Sequence, residues 1–336
     1  MPSDLIQRPR LKALLDGVRN CHIVVVGDAM LDVYLRGDVD RISPEAPVPV
    51  VRVRDRKFAL GGAANVAQNV AALGGRPTLV AAVGKDTAAT QLRDALRGIG
   101  ASIAGLVEVA RPTTTKTRVV ARAQQLLRVD EEHDEDLSPA DVERLATAAE
   151  QAIASADALV LEDYNKGVLV TALITRVMRA AKAKKIPIVV DPKYRNFFSY
   201  SGATVFKPNR RELESALGAA VDVDHPETLP AVVERLGAES LLLTLSERGM
   251  ALIERGAGVS KGVHRIPTTA REVYDVVGAG DTVTAYLAAM LAAGATPLEA
   301  AIVANFAAGV EVGKSGAATV SGNEVLAAFD EHRAEG

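Results

Sequence analysis

Short β-branched and apolar runs alternate along this chain with stretches of helical length. His22–Val26, Thr78–Val83, Ala158–Leu161, Ile188–Val190, Thr204–Phe206 and Leu241–Leu245 read as buried strands. Helices are predicted over Leu5–Val18, Ala63–Leu73, Thr87–Ile99, Thr171–Lys184 and Arg210–Leu217. Further helices over Ala279–Ala293, Leu298–Gly313 and Glu324–Arg333 close the chain. Strands without a polar face, separated by helices, predict an α/β fold whose mostly parallel central sheet is covered on both sides.

Two stretches break this rhythm. Val33–Asp55 alternates like a half-exposed strand pair and carries Pro44, Pro47 and Pro49, while Lys116–Ala121 and Gln125–Asp130 read as a hairpin. Neither is followed by a covering helix, so both predict antiparallel strands standing off the main sheet. A small β lid over the sheet's ligand edge accommodates them, on one domain spanning 1–336 with lid segments near 33–58 and 113–130. The exposed edges of such a lid predict pairing with a second copy, a homodimer through the lid.

Apolar residues make up 48% of the chain and charged ones 24%, which suits a packed core rather than disorder. With aromatics at 4% and a net charge of -3, neither stacking platforms nor a basic field points to nucleic acid or an anionic membrane. Cys21 stands alone and the five histidines are scattered, which argues against a disulfide framework and a zinc site. The N-terminal segment lacks the apolar core of a secretory signal, and the apolar run Ala285–Ala295 is too short to span a bilayer. A cytoplasmic address is expected. The acidic run Asp130–Asp136 reads as a solvated loop before a helix.

Candidate chemistry concentrates where strands or lid feed helices, the edge at which open α/β sheets bind ligands. Asp275-Val276-Val277-Gly278-Ala279-Gly280-Asp281 leads into an apolar helix. The small residues Gly278, Ala279 and Gly280 let backbone N–H groups approach a phosphate at a helix N-terminus, where the dipole favours negative charge. Asp281, at the same mouth, is placed to accept the proton of an attacking hydroxyl. The segment also fits a plain aspartate N-cap with turn glycines. Gly61-Gly62-Ala63-Ala64-Asn65 brings backbone close to a ligand, with Asn65 offering donor and acceptor to sugar hydroxyls, or else turns the lid into the domain. In Lys207-Pro208-Asn209-Arg210-Arg211-Glu212, Asn209 and Glu212 share one face of a helix start, suited to nucleotide phosphate and Mg²⁺-bound water, or to a capping box.

Together these segments resemble the ribokinase-like sugar kinases of the PfkB family. Gly61–Asn65 is similar to that family's N-terminal signature and Asp275–Asp281 to its C-terminal one, and the resemblance runs over nearly the whole chain. Gly27-Asp28-x-Met30-Leu31-Asp32, Arg41–Val50, Thr115-Lys116, Arg118, Gln124-Gln125-Leu126, Asp163-Tyr164-x-Lys166-Gly167 and Asp191-Pro192-Lys193 resemble more narrowly the kinases of ADP-heptose synthesis.

The resemblance implies an ATP- and Mg²⁺-dependent kinase on a ribokinase-like fold that phosphorylates D-glycero-D-manno-heptose 7-phosphate at O1. A different sugar, sugar phosphate or nucleoside acceptor, and a non-catalytic sugar-binding protein, are the alternatives. It implies that Asp28, Asp32, Gly61, Gly62 and Asn65 hold sugar hydroxyls. Lys116, Arg118 and Lys166 would meet the acceptor's own phosphate, unless they are solvated lid charges. Asn209, Glu212 and Lys193 would face phosphates and Mg²⁺, with Glu212 a metal ligand. Thr244, Ser246 and Gly249 would border the nucleotide, with Asn305 near adenine. Asp275 and the loop around Gly316 would help bind a monovalent cation such as K⁺. Asp32, Thr244 and Asn305 also fit a turn residue, a strand end and a helix polar position.

The chain departs from the heptose kinases at Tyr194-Arg195-Asn196-Phe197-Phe198, where they carry Gly-Thr-Asp-Phe, and at Ser246, where a glycine is usual. These departures bear on the sugar more than on phosphotransfer. Bifunctional members carry a cytidylyltransferase-like second domain, for which this chain is too short. Gly309–Ser315 imitates a Walker A loop with one spacing residue missing and at a helix C-terminus, where the dipole repels phosphate. Gly278-Ala279-Gly280 lacks the third glycine of a dinucleotide fold.

Overall fold

A computed structural model describes residues 5–122, 124–224, 229–256 and 263–335. Ala123, at the tip of the expected hairpin, and His225 lie outside the described residues. In chain order the strands are β1 (His22–Gly27), β2 (Ala29–Ile42), β3 (Pro49–Gly62), β4 (Arg76–Val83), β5 (Ser102–Glu108), β6 (Thr115–Ala121) and β7 (Gln124–Glu131). They continue with β8 (Ala158–Glu162), β9 (Ile188–Asp191), β10 (Val205–Phe206), β11 (Ser240–Thr244), β12 (Met250–Glu254) and β13 (Val263–Ile266).

The main sheet has nine strands in the order β13-β12-β11-β10-β9-β8-β1-β4-β5. From β11 to β5 every pairing is parallel, and β12 and β13 add an antiparallel edge that the apolar pattern alone did not reveal. The run Ile23-Val24-Val25-Val26 shows why these strands carry no polar face. Ile23 and Val25 join the core under helices Ala63–Ala72 and Ala279–Ala292, whereas Val24 and Val26 join the core under Pro139–Ile153 and Thr171–Lys184. Each fully buried side chain of this kind contributes about 1.5–3 kcal/mol of transfer free energy.

The lid is a second sheet in the order β3-β2-β6-β7. Its two hairpins, β2 with β3 and β6 with β7, are antiparallel as expected, but β2 and β6 pair in parallel, from Leu31 opposite Thr115 to Gly37 opposite Ala121. Both strands leave the same edge of the main sheet, β2 directly after β1 and β6 after β5, so they run in the same direction. Pro49 opens β3, an outer strand of this sheet, where a missing N–H is tolerated. Among the described residues, no helix is long and apolar enough to cross a membrane.

Candidate active site

The parallel strands end on one edge, where β8 closes on Glu162, β9 on Asp191 and β11 on Thr244, with Lys207 directly after β10. Helix Ala279–Ala292 aims its N-terminus at this edge. It is apolar on nearly every side and almost wholly buried, so packing fixes its axis. Its N-cap is Gly278 at φ +96°, and a Cβ there would come within 3.1 Å of Ala317 Cβ and of Asn65 Nδ2. The first amides of a helix have no intrahelical partner, and Asp281 lies in that same turn.

Two cavities meet at this mouth. The larger, of about 500 Å³, is lined by Ala279 and Gly280 with Asp191, Lys193, Lys207, Asn209, Glu212, Thr244, Ser246, Gly249 and Asn305. The smaller, of about 190 Å³, is lined by Gly278 and Asp281 with Asp32, Gly61, Gly62, Asn65, Lys116, Arg118 and Arg128. Tyr164 lines both. The carboxylate thus borders one cavity, and the two small residues before it border the other.

Asp281 is buried, with a donor on each oxygen. Asn65 Nδ2 donates to Oδ2 and the Tyr164 hydroxyl donates to Oδ1, both at 2.8 Å. Burial pushes its carboxyl up to about 6; the bonds from Asn65 and Tyr164 pull it down, Asp191 adds to the rise and Lys207 opposes it. A carboxylate so poised is ionised at neutral pH yet basic enough to take a proton.

The floor of the larger cavity is a charge cluster, buried at Asp191 and Lys207 and half-buried at Lys193 and Glu212. Lys207 Nζ lies 2.7 Å from Asp191 Oδ2, Lys193 is paired with Glu212, and the Lys193 ammonium sits 5.2 Å above the Tyr164 ring centroid. Burial works against the charge on Lys193, but Asp191 and Glu212 hold its ammonium well above the usual lysine range. Asn209 and Glu212 do form a capping box, Glu212 N donating to Asn209 Oδ1 at 2.9 Å and Asn209 N to Glu212 Oε2 at 2.8 Å. They wall the cavity at the same time, so the cap and the site coexist. Ser246, at φ +55°, holds a left-handed conformation in which glycine is relaxed. Asn305 Nδ2 donates to the carbonyl of Pro267 at 2.8 Å.

The lid cations are paired rather than solvated. Arg118 donates to Asp32 Oδ1 at 2.5 Å and lies over Tyr34. Lys116 reaches Glu132 at 2.9 Å and Asp130 at 3.3 Å, and Lys166 reaches the other oxygen of Glu132 at 2.7 Å. The acidic run is therefore only partly a solvated loop. Asp130 belongs to β7, and Glu132 is drawn between two lysines.

Two residues expected at the acceptor are placed differently. Asp28 is buried but does not line the smaller cavity: its carboxylate accepts from the amides of Tyr164 (2.8 Å), Lys166 (3.0 Å) and Val168 (3.3 Å). It fastens the loop that carries Tyr164. Lys166 likewise stays off the cavity wall and acts on Glu132. Asp275 and the Gly316 loop are brought together, Gly316 N donating to Asp275 Oδ2 and Val277 N to Oδ1, each at 3.0 Å.

Sequence reasoning assigned no role to Tyr164, Lys207, Arg128, Glu162 or Glu311. Tyr164 and Lys207 lay inside motifs already singled out, and Glu162 ends β8 while Lys207 directly follows β10 on the ligand edge, a positional signal in the sequence. Among the described residues, the buried side-chain polar atoms without a hydrogen-bond partner are the carboxylate oxygens of Glu162 and Glu311.

Comparison with known proteins agrees with this geometry. The model of the pfkB family carbohydrate kinases matches residues 20–324. The bifunctional protein HldE of Rhodospirillum rubrum is 43% identical over 325 residues, covering 95% of this chain and 64% of its own length. That of Azorhizobium caulinodans is 47% identical over 318 residues, covering 93% and 65%. This chain thus spans just under two thirds of these curated relatives. Among solved structures, Arabidopsis thaliana ribokinase, complexed with ribose and ATP, superposes with a TM-score of 0.70 at 21% identity, covering 92% of this chain and 98% of that one. Phosphofructokinase-2 of Escherichia coli, in complex with potassium, gives 0.76 at 19% identity, covering 93% and 99%. These structures share the ribokinase-like fold, and the family match spans both glycine-rich segments of the site. The chain belongs to the pfkB family of carbohydrate kinases, phosphotransferases that act on a sugar hydroxyl.

Proposed function

We propose that this chain moves the γ-phosphoryl group of ATP onto O1 of D-glycero-D-manno-heptose 7-phosphate, giving the 1,7-bisphosphate. The observation that carries the reading is the meeting of two cavities at one helix mouth, with Asp281 on the smaller and Ala279 and Gly280 on the larger. The acceptor occupies the smaller cavity, its hydroxyl against Asp281, and the nucleotide occupies the larger. As the acceptor oxygen attacks the γ-phosphorus, Asp281 takes its proton. The new O–P bond forms, the bond to the β-bridging oxygen breaks, and its electron pair leaves with ADP. The amides at the start of the helix, with Lys193 and Lys207, stabilise charge on the transferring group; that of Ala279 reaches the Val276 carbonyl only at 3.4 Å.

The heptose phosphate acceptor is supported by the lid and loop motifs shared with the ADP-heptose kinases and by identity to the HldE proteins over most of this chain. Asp32, Gly61, Gly62 and Asn65 then meet its hydroxyls, and Lys116, Arg118 and Arg128, on the wall of the smaller cavity, supply cations for its phosphate. The hard oxygen donors Asp191 and Glu212 on the wall of the larger cavity suit Mg²⁺ beside the phosphates, where it neutralises charge on ATP. A monovalent cation fits beside Asp275, near which the buried Glu311 carboxylate is unpartnered and pushed up to about 8 by burial, Asp275 and Asp281. Folding of the lid over the mouth limits water and so suppresses ATP hydrolysis.

The decisive variant is Asp281→Asn, which keeps nucleotide binding but loses at least about a hundredfold in kcat; near-normal turnover would dismiss the assignment. ADP release measured over a panel of acceptors ranks heptose 7-phosphate first if the acceptor is right. The lid leaves Val53, Phe58, Leu127 and Val129 exposed, which supports a homodimer through this sheet. Sedimentation as a monomer at micromolar concentration would contradict it.

A further inference from the structure

Lys166 has no task in the mechanism above, and Glu132 stands where an anionic ligand would. The two oxygens of Glu132 are divided between two ammonium groups: Lys166 Nζ lies 2.7 Å from Oε1 and Lys116 Nζ 2.9 Å from Oε2. Each lysine side chain is only 16% exposed, so both have exchanged most of their water for this one carboxylate. Burial pushes the Glu132 carboxyl up, but the bonds from Lys166 and Lys116 bring it below the usual glutamate range, so it is ionised at neutral pH. Lys116 also lines the smaller cavity. The pairing of β6 with β7 ends at Glu131, so Glu132 lies just past the last rung of the ladder. Around the cavity, Lys116, Arg118, Arg128 and Lys166 meet Asp32, Asp130 and Glu132, four positive charges against three negative ones. A phosphate dianion added to this set leaves it one charge too negative. A dianion that takes the place of Glu132 leaves it neutral.

We propose that Glu132 determines specificity at the acceptor site: it fills the position between Lys116 and Lys166 that a substrate phosphate takes, and a phosphate dianion displaces it. The proposal rests on the phosphorylated-acceptor reading above and deepens it. Carboxylate and phosphate both present a pair of oxygens on one central atom, so one replaces the other without moving either lysine. The exchange favours the dianion, because a partly exposed ion pair contributes little and the released Glu132 regains water. Lys166, off the cavity wall while Glu132 is in place, then joins Lys116, Arg118 and Arg128 around the phosphate. An unphosphorylated sugar brings no charge to replace that of Glu132, so it leaves the two lysines occupied and gains nothing from them.

The test is calorimetric titration of the full chain with inorganic phosphate, while a non-hydrolysable ATP analogue and Mg²⁺ saturate the larger cavity. Glu132→Gln keeps the shape and removes the competing charge, and it is expected to bind phosphate about tenfold tighter than wild type. Glu131→Gln makes the same change one residue away, on the side of β7 that faces Thr115, and is expected to leave phosphate binding unchanged. Adding Lys166→Met to Glu132→Gln is expected to abolish the gain. A Glu132→Gln affinity equal to or weaker than that of wild type, or no phosphate binding in either, overturns the proposal. A weaker affinity would mark Glu132 as a brace that holds the lysines in place. Steady-state kinetics judge the acceptor reading separately: KM for heptose 7-phosphate is expected to fall in Glu132→Gln with kcat retained. Tighter phosphate with an unmoved KM would keep the exchange at Glu132 and count against the heptose phosphate instead.

Discussion

The hydroxyl of Tyr164 donates to Oδ1 of Asp281 at 2.8 Å, across 117 positions of sequence. Its ring lies under the Lys193 ammonium, and its backbone N–H is held by Asp28. One residue thus touches the proposed base and a cation of the larger cavity through its side chain, and the loop anchor through its backbone.

Removing that hydroxyl should move the pH profile. Asp281 acts as base only when ionised, so kcat falls as pH drops through about 6. The Tyr164 bond favours the ionised form; without it the carboxyl titrates higher, and the acid limb shifts to higher pH. In Tyr164→Phe the loss is expected to be about fivefold or more at pH 6 and to shrink towards none by pH 8. A kcat profile recorded from pH 5 to 8 with an unmoved limb would show that the hydroxyl does not tune the base.

Asp28 is predicted to be a loop anchor. Burial raises its carboxyl, while the amides of Lys166, Tyr164 and Val168 pull it down. Asp28→Ala leaves those amides without their acceptor, which is expected to lower stability by about 2–4 kcal/mol and to reduce kcat through the loosened Tyr164. Urea denaturation measures the first. A loss below about 1 kcal/mol would mean that the loop holds itself.

Gly249 closes the turn after β11 at φ +82°, and a Cβ there would stand 2.1 Å from the carbonyl oxygen of Ile266 and 2.5 Å from Thr268 N. Backbone must shift to admit it. Gly249→Ala is expected to cost about 2–4 kcal/mol and to weaken binding of a non-hydrolysable ATP analogue, because the displaced strand walls the larger cavity. Wild-type melting and affinity in this variant would refute the close packing described here.

The amino-acid order alone determined the layered α/β plan. Apolar strands such as His22–Val26 and the all-round apolar helix after Gly280 can be buried in few other ways. It also marked the two glycine-rich mouths and Asp281, because small residues before a helix carry a local signal that needs no partner. The antiparallel edge of β12 and β13 and the parallel join of β2 to β6 were not legible, since strand direction and order depend on pairings between distant segments. Tertiary structure alone decided how charge is distributed. Asn65 meets Asp281 across 216 positions, Arg118 meets Asp32 across 86, and Asp28 turns from the acceptor to the Tyr164 loop. Glu162 reads in sequence as the end of a strand; only the convergence of β8, β9 and the helix mouth surrounds it with like charge. Propensity and periodicity are properties of neighbours along the chain, whereas a carboxylate's proton, partner or metal is set by whatever folding brings within a few ångströms of it.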